Sequence, residues 1–321
     1  MIRSVAITGA TGFIGRHVAA DLVARGVTVK AIVRPQSPHT APPDTVVVAA
    51  SLQSDLLRTA FAGVDAVVHL AGVVAAVDAR TYAAVNTEGT RAVALAARDV
   101  GARLIHVSSL AAAGPAPTSA PHRETDPPHP VTPYGVSKLE SERIVSALDD
   151  LRSIVLRPGV VYGPTDRAVF PLFQAAARGV LPLVGHPDAA YTFIYIDDIV
   201  QAITAAVDRS DASGTIFVGH PQPVTAHALA DAISAANGRH VRLIRVPMAA
   251  TYVAAIACDV ASRILRRPMP LNMSRYAELE AEGFVCRVDR LRDELGVVAQ
   301  TGLREGIAKT TAWYRDAGWI R

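Results

Sequence analysis

Short apolar runs rich in β-branched residues alternate with longer amphipathic segments along the first two-thirds of the chain. The apolar runs predict strands over residues 5–8, 27–33, 46–49, 66–70, 103–108 and 153–156. The segments between them predict helices over residues 14–25, 54–61, 81–100 and 133–148. Such alternation is typical of a parallel sheet with helices on both faces. With right-handed crossovers, it predicts an α/β fold built on a doubly wound parallel sheet.

The pattern becomes less regular after Pro158, where prolines and glycines interrupt it. Residues 192–196 predict another strand, Asp197 and Asp198 predict the N-cap of a helix through residue 207, and residues 216–218 predict a strand that rejoins the sheet. We therefore predict a main domain over residues 1–164, to which residues 190–222 return. A smaller C-terminal substrate-binding lobe is predicted to comprise residues 165–189 and 223–321. Two proline-rich loops, 35–44 and 114–130, lack periodicity, and we expect both to be mobile, the second as a candidate active-site lid.

One apolar stretch, residues 247–265, is too short and too charged for a membrane span, since it contains Asp259 and Arg263. Met248, Tyr252, Val253 and Ile256 recur within it at helical spacing. We interpret the stretch as a buried or substrate-facing helix, with a helix on a membrane surface as the alternative. A substrate-facing stripe favours an apolar substrate, whereas the other interpretation makes it part of the core.

The composition of the chain mainly excludes certain classes of partner and site. The 321 residues are 50% hydrophobic and 19% charged, which is enough for a large core. The net charge of +3 is not concentrated in a Lys/Arg-rich block, so nucleic acid is not an expected partner. Cys258 and Cys286 are too few for a disulfide framework and lack metal-ligand spacing, so no metal is expected. Without a signal-peptide pattern, we expect a cytoplasmic protein.

A glycine-rich turn joins the first predicted strand to the first predicted helix. Gly9 permits the tight turn, Gly12 lets the backbone approach a pyrophosphate, and Gly15 lets the helix pack on the strand. The N-terminus of the helix then offers unpaired N–H groups and a partial positive charge to an anion. The turn predicts a Rossmann-type dinucleotide site formed by Gly9, Thr11, Gly12, Phe13, Ile14 and Gly15.

Tyr134 and Lys138 are four residues apart in a predicted helix, so their side chains share one face. A tyrosine with an ordinary pKa near ~10 is a poor base at neutral pH, and a nearby ammonium favours its phenolate. The pair therefore predicts acid/base chemistry on a hydroxyl or a carbonyl.

The spacing and order of several motifs resemble the extended branch of the short-chain dehydrogenase/reductase superfamily, the NAD-dependent epimerase/dehydratase family. The nearest resemblance is to the 3β-hydroxysteroid dehydrogenase and dihydroflavonol reductase group. Besides the GxxGxxG turn, the motifs are HLAG at 69–72, NTEGT at 86–90, VSS at 107–109, YGVSK at 134–138 and RPGVVYGP at 157–164. The resemblance covers essentially residues 1–220, and a weaker similarity continues toward the C-terminus.

This resemblance implies roles for particular residues. Tyr134 would exchange a proton with the substrate oxygen, Lys138 would lower the pKa of Tyr134 and hold the nicotinamide ribose, and Ser109 would orient the oxygen, with Ser108 as its structural neighbour. Asn86 resembles the family's helix asparagine near the active site, and simple helix bending or capping is its alternative role. Further cofactor contacts implied by the resemblance are Leu52, Leu70, Ala71, Gly72, Pro158, Val160 and Val161.

The identity of the dinucleotide depends on the end of the second strand. Residues 33–35 offer no acid for the ribose 2′-OH, and Arg34 resembles the arginine that holds the 2′-phosphate in NADP-dependent relatives. We therefore predict NADP, with NAD as the alternative. Ser51 replaces the aspartate that relatives usually place beside the adenine.

The residues immediately after Ser109 bear on the substrate class. Residues 110–113 contain no acidic pair, which disfavours dehydration, and the family's sugar-nucleotide signals are missing at Ala113 and Val160. We predict an oxidoreductase that interconverts a hydroxyl and a carbonyl on a relatively apolar, steroid- or flavonoid-like small molecule. The alternatives are a nucleotide-sugar epimerase and, in another class, a non-catalytic dinucleotide-binding regulator. The resemblance also implies a possible homodimer formed through the helices that carry Asn86 and Tyr134.

Overall fold

The computed structural model describes residues 2–35, 37–38, 40–53, 55–269 and 271–320. Its strands are β1 (Ser4–Thr8), β2 (Thr28–Val33), β3 (Val46–Ala49), β4 (Ala66–His69), β5 (Arg103–Val107), β6 (Ser153–Pro158), β7 (Val160–Tyr162), β8 (Val180–Val184), β9 (Ala190–Tyr191), β10 (Phe193–Tyr195), β11 (Gly214–Val218), β12 (Val224–Thr225), β13 (Arg242–Val246) and β14 (Gly283–Phe284). Seven of them form the main sheet in the order β11-β6-β5-β4-β1-β2-β3. Every pairing within this sheet is parallel. The predicted doubly wound parallel sheet is confirmed.

The helices are α1 (Phe13–Ala24), α2 (Leu57–Phe61), α3 (Ala79–Tyr82), α4 (Gly89–Asp99), α5 (Pro133–Ser146), α6 (Phe170–Ala177), α7 (Ile196–Asp208), α8 (Ala226–Asn237), α9 (Met248–Leu265), α10 (Met273–Glu280), α11 (Asp289–Leu295) and α12 (Leu303–Asp316). They cover both faces of the sheet because successive strand residues point to opposite sides. Val5 and Ile7 of β1 are buried in the cluster on one face, and Ala6 between them is buried in the cluster on the other. Two apolar layers, one on each face, therefore hold the strands in place. They thereby also position the carboxyl ends of the strands, where the candidate site lies.

The first six predicted strands match the observed strands closely, but two other local predictions need correction. Ser54, the predicted start of the second helix, lies outside the described residues, as do Gln36 and His39 of the loop predicted over 35–44. The helix predicted over 81–100 is not uniform, because a π-helical segment, Ala83–Glu88, separates α3 from α4. Asp197 and Asp198 do not cap α7: its N-cap is Tyr195, and both acids lie in its first turn.

The loop at 114–130 is anchored rather than mobile. Its backbone pairs with the segment around β14, since Ala116 N donates to Gly283 O at 2.9 Å and His122 N donates to Val285 O at 2.9 Å. The pairing partner lies far along the chain, so local composition gave no sign of it. These hydrogen bonds hold the loop in place, so the structure does not support its interpretation as a mobile lid.

The predicted C-terminal lobe contains β8 and β13, which pair with each other, and β14, which pairs with β9 of the segment predicted to return to the main domain. Within it, the interpretation of residues 247–265 as a buried helix is wrong. Only Thr251, Ala255 and Ser262 of α9 are buried, and Tyr252, Val253 and Ile256 are exposed. The boundaries predicted for the main domain and the C-terminal lobe stay a prediction.

Candidate active site

The glycine turn forms a cradle that other residues would fill. Gly9 adopts a φ of +77°, and a Cβ there would lie 2.7 Å from Ala71 N. A Cβ on Gly15 would lie 2.2 Å from Gly9 O, so α1 packs on the turn only with glycine at this position. Gly12 N donates to Gly9 O at 2.9 Å and closes the turn. Because no side chains fill the turn, a pyrophosphate could lie directly against its backbone and the N-terminus of α1.

The N-terminus of α1 has the electrostatic character that an anion requires. Gly12 is its N-cap, no side chain caps the helix, and the first turn contains no acidic residue. Arg16, in the first turn of α1, donates from Nη2 to Thr11 O at 3.0 Å, and this hydrogen bond holds its positive charge beside the glycine turn. Phe13 and Ile14 are partly buried against the core. These residues fit the dinucleotide that the motif predicts.

The other predicted cofactor residues follow the carboxyl ends of neighbouring parallel strands, where ligands bind in doubly wound sheets. Leu70, Ala71 and Gly72 follow β4, and Leu70 N donates to Thr8 O at 3.0 Å. Pro158 ends β6, while Val160 and Val161 begin the short strand β7, which pairs with β10. Arg34 is exposed at the end of β2, and Leu52 packs against the position of Gly89.

Tyr134 and Ser109 form the centre of the candidate site. Pro133 and the Thr132 side chain, which accepts a hydrogen bond from Gly135 N at 3.0 Å, start α5 so that Tyr134 lies in its first turn. Burial raises the pKa of Tyr134 to about 12, although a side-chain hydrogen bond with Ser109 lowers it in part. Ser109 Oγ also accepts a hydrogen bond from Ala111 N at 3.2 Å, which fixes its orientation. The tyrosine is therefore protonated at neutral pH in this structure.

Lys138 lies one turn after Tyr134 and is buried. Its Nζ donates to Val107 O at 2.8 Å, which holds the side chain at the end of β5. Burial lowers the pKa of Lys138 to about 8, and the carboxylate of Glu142 acts in the opposite direction. The lysine therefore titrates close to neutral pH.

A buried ion pair between Glu142 and Arg157 lies next to Lys138, and the sequence pattern does not predict it. Glu142 accepts from Arg157 Nη2 at 2.5 Å and from Arg157 Nε at 2.9 Å, and it also accepts a hydrogen bond from Ser108 Oγ. Both charged side chains are almost fully enclosed. The signal was present, because Tyr134, Lys138 and Glu142 follow one another at four-residue spacing on the same helix face. This ion pair links α5 to β6 next to Lys138.

Asn86 makes positioning contacts rather than contacts to Tyr134 or Lys138. Its Oδ1 accepts from Val73 N at 2.8 Å, and its Nδ2 donates to Val73 O and to Ser137 Oγ, each at 3.0 Å. It thereby clamps the loop after β4 against α5 from inside the π-helical segment. A direct catalytic role for Asn86 stays a prediction.

The buried His69 at the end of β4 makes structural hydrogen bonds. His69 Nδ1 lies 2.6 Å from Thr8 Oγ1 and its Nε2 lies 2.9 Å from Thr90 Oγ1. Burial lowers the pKa of His69 to about 3, so the ring is neutral. In the described part of the chain, no group of three or more His, Cys, Asp or Glu side chains is placed to hold a metal ion.

Tyr82 on α3 and Glu278 on α10 act on Tyr134, although no local pattern predicts either contact. The ring of Tyr82 lies 6.1 Å from that of Tyr134. Burial raises the pKa of both tyrosines, and the charge of Glu278 raises it further. Burial raises the pKa of Glu278 itself, and Arg275 pairs with it at 2.6 Å. Only the folded chain brings α10 to the tyrosine, across more than a hundred residues of sequence.

Comparisons with known proteins agree with this geometry. Residues 5–219 match the model of the NAD dependent epimerase/dehydratase family. The chain is 31% identical to a protein named ceramide reductase from Caulobacter vibrioides, over 98% of this chain and 96% of that protein. It is 28% identical to a sterol demethylase protein B from Methylococcus capsulatus, over 98% of this chain and 99% of that protein.

A solved structure also shares the fold. MoeE5, determined in complex with UDP-glucuronic acid and NAD, superposes with a TM-score of 0.79 and is 24% identical. The match covers 98% of this chain and 99% of MoeE5. At this identity the likeness concerns the fold alone.

Proposed function

The chain belongs to the NAD-dependent epimerase/dehydratase family, and on that premise we propose that it is an NADP(H)-dependent reductase that converts a carbonyl into a hydroxyl on an apolar, lipid-like molecule. The coarser statement, an oxidoreductase or related enzyme of this family, rests on the family match and on the reductase among its relatives. The direction, the substrate class and the choice of NADP are the proposal.

The observation that carries the proposal is the hydrogen-bonded pair of Tyr134 and Ser109 at the carboxyl end of β5. Reduction of a carbonyl requires an acid that gives a proton to the substrate oxygen, and a tyrosine with a pKa of about 12 holds that proton at neutral pH. Ser109, already hydrogen-bonded to Tyr134, is placed to donate to the same oxygen and orient it. Lys138, buried one turn after Tyr134 and protonated below about pH 8, would supply a positive charge that favours proton release during turnover. In the structure itself the pKa of Tyr134 is raised, and the lowering expected from Lys138 is not seen.

The cofactor would be held by the cradle around Gly9, Gly12 and the N-terminus of α1. When bound, the dinucleotide supplies the hydride. The protein holds the pyrophosphate with backbone N–H groups, positions the substrate oxygen with Ser109 and Tyr134, and keeps water from the buried Lys138.

Two observations bear on the reaction and the substrate. The segment after Ser109 forms a short 3-10 helix, Leu110–Ala112, that carries no acid for water elimination, which disfavours dehydration. Two relatives that match the chain almost end to end are named for a ceramide and for a sterol, which are both lipids. Part of the same proposal is a cytoplasmic location, supported by the fact that Cys258 and Cys286 are both free.

Turnover of candidate ketones tests the proposal. We expect the purified protein with NADPH to reduce the 3-keto form of ceramide or a 3-ketosteroid, consuming one reduced nicotinamide for each hydroxyl formed. Absorbance at the reduced-nicotinamide band and mass spectrometry of the product give the stoichiometry. Interconversion of UDP-galactose and UDP-glucose without net cofactor consumption would instead identify an epimerase.

Cofactor choice tests the role of Arg34 separately. Replacing Arg34 by Ala should weaken NADPH binding by about tenfold to a hundredfold, because a charge-assisted hydrogen bond to the 2′-phosphate is lost, and should leave NADH binding nearly unchanged. Fluorescence titration with both dinucleotides measures this. Arg143→Ala, on the outer face of α5, is the matched control. Equal losses for NADPH and NADH would contradict the assignment.

A further inference from the structure

Helix α9 presents an apolar face to solvent. Val253, Val260 and Ile264 are 66%, 53% and 75% exposed and fall on one side of the helix, opposite the buried Thr251, Ala255 and Ser262. Every exposed residue between positions 249 and 260 is alanine, valine, isoleucine or tyrosine. Contiguous exposed apolar surface of this kind marks a site of interaction.

The segment that contains this face is strongly basic. Residues 239–267 contain six arginines and a single acidic residue, Asp259, which gives the segment a formal charge of +5. Since the whole chain carries +3, the remainder carries −2. Arg263, Arg266 and Arg267 are exposed at the end of α9, directly beside Ile264. Apolar side chains bordered by arginines are complementary to an apolar surface with anionic groups at its edge.

From this charge asymmetry we propose that α9 and its flanking arginines dock the protein on the surface of an anionic phospholipid bilayer. Symmetric pairing of two copies through α9 would bring two segments of charge +5 together, which disfavours self-association. Contrary to the expectation from its length and its charges, α9 is, among the described helices, the one that is long and apolar enough to cross a membrane by length and composition. Thr251, Ala255 and Ser262 nevertheless pack it against the protein, so it lies on the bilayer rather than across it.

The docking surface connects to the candidate active site through α10. The ring of Tyr252 on α9 lies 5.3 Å from that of Tyr276 on α10, and Met273 N donates to Asp259 Oδ2 at 3.3 Å. Glu278 on the same helix acts electrostatically on Tyr134. Docking through α9 therefore places the substrate lobe at the lipid surface, where a membrane-resident ketone enters the site. This last step rests on the proposed function, whereas the docking itself does not.

Sedimentation with vesicles tests the docking. The double variant Val253→Ser, Ile264→Ser should bind vesicles of equal parts phosphatidylglycerol and phosphatidylcholine about tenfold or more weakly than the parent chain. Arg263→Gln combined with Arg267→Gln should weaken binding to these vesicles and leave the weak binding to pure phosphatidylcholine unchanged. High salt should reduce binding of the parent chain. Val47→Ser combined with Val298→Ser, which also removes two exposed apolar side chains, is the matched control.

The outcomes separate the docking from the proposed reaction. The α9 variants should keep full turnover of a short-chain, water-soluble ketone and lose turnover of a vesicle-bound ketone. Vesicle binding without any ketone reduction would sink the proposed function and leave the docking intact. Equal vesicle binding by parent and α9 variants, or a dimer in light scattering that these substitutions dissociate, would overturn the docking proposal.

Discussion

Replacing Tyr134 by Phe should lower kcat for carbonyl reduction by about 10²–10⁴-fold, the usual contribution of a positioned general acid. The hydroxyl that holds the proton at neutral pH is lost, while the ring that packs near Tyr82 is kept. Cofactor binding and thermal stability should be nearly unchanged, because the polar contact removed is a single hydrogen bond with Ser109. Steady-state kinetics and a cofactor titration on the same preparation measure both effects.

Tyr252→Phe is the matched control for this substitution, since it removes a tyrosine hydroxyl from the exposed face of α9. Its kcat should equal that of the parent chain toward a water-soluble ketone. A Tyr134→Phe variant with undiminished turnover would contradict the assigned acid. Weakened cofactor binding together with lost turnover would indicate a disturbed site instead.

Replacing Glu142 by Gln should lower the free energy of unfolding by about 3–5 kcal/mol, because it leaves the buried guanidinium of Arg157 without its carboxylate. The same change should alter the pH dependence of reduction. The carboxylate of Glu142 raises the pKa of Lys138, so its removal lowers that pKa further below about 8. Activity that requires the ammonium is lost as pH rises through this pKa, and the loss should therefore begin at a lower pH in the variant.

Glu140→Gln gives the control on the same helix. Glu140 pairs with Arg143 at the surface, and such pairs contribute under about 1 kcal/mol. Urea unfolding and the pH profile of kcat/KM compare the two variants. Equal stability losses in the two variants would show that the buried pair does not stabilise the fold. A pH profile unchanged by Glu142→Gln would show that the pair does not act through Lys138.

Local periodicity accounts for the correct predictions. The inner strands of the main sheet are buried on both faces and so read as apolar runs, which is why the pattern predicts β4 and β5 to within a residue. The glycine turn has a fixed spacing because backbone atoms at Gly9 and Gly15 lie too close to others for a side chain. Tyr134 and Lys138 share a helix face by the geometry of the helix alone.

Contacts between distant segments account for the errors. The loop at 114–130 is fixed by backbone pairing near β14, and the charge that reaches Tyr134 comes from Glu278 on α10. An apolar helical pattern does not distinguish a core helix from one whose apolar side faces solvent, so it leaves α9 open as a buried, a substrate-facing or a membrane-surface helix, and only the structure excludes the buried one. Asp198, whose position before an apolar helical pattern predicts an N-cap, instead accepts hydrogen bonds from Gln300 N and Thr301 N of a distant segment.

The sequence by itself determined the doubly wound sheet, because strand and helix patterns alternate along the chain and crossovers are right-handed. It also determined the glycine turn and the Tyr134–Lys138 pair, because each depends on spacings within a single turn or helix. Only the tertiary structure decided how those groups are tuned. The burial that raises the pKa of Tyr134, the Glu142–Arg157 pair beneath Lys138 and the exposure of α9 all depend on which surfaces meet when distant segments pack. Burial and charge at a site are sums over all neighbouring elements, and no local pattern contains them.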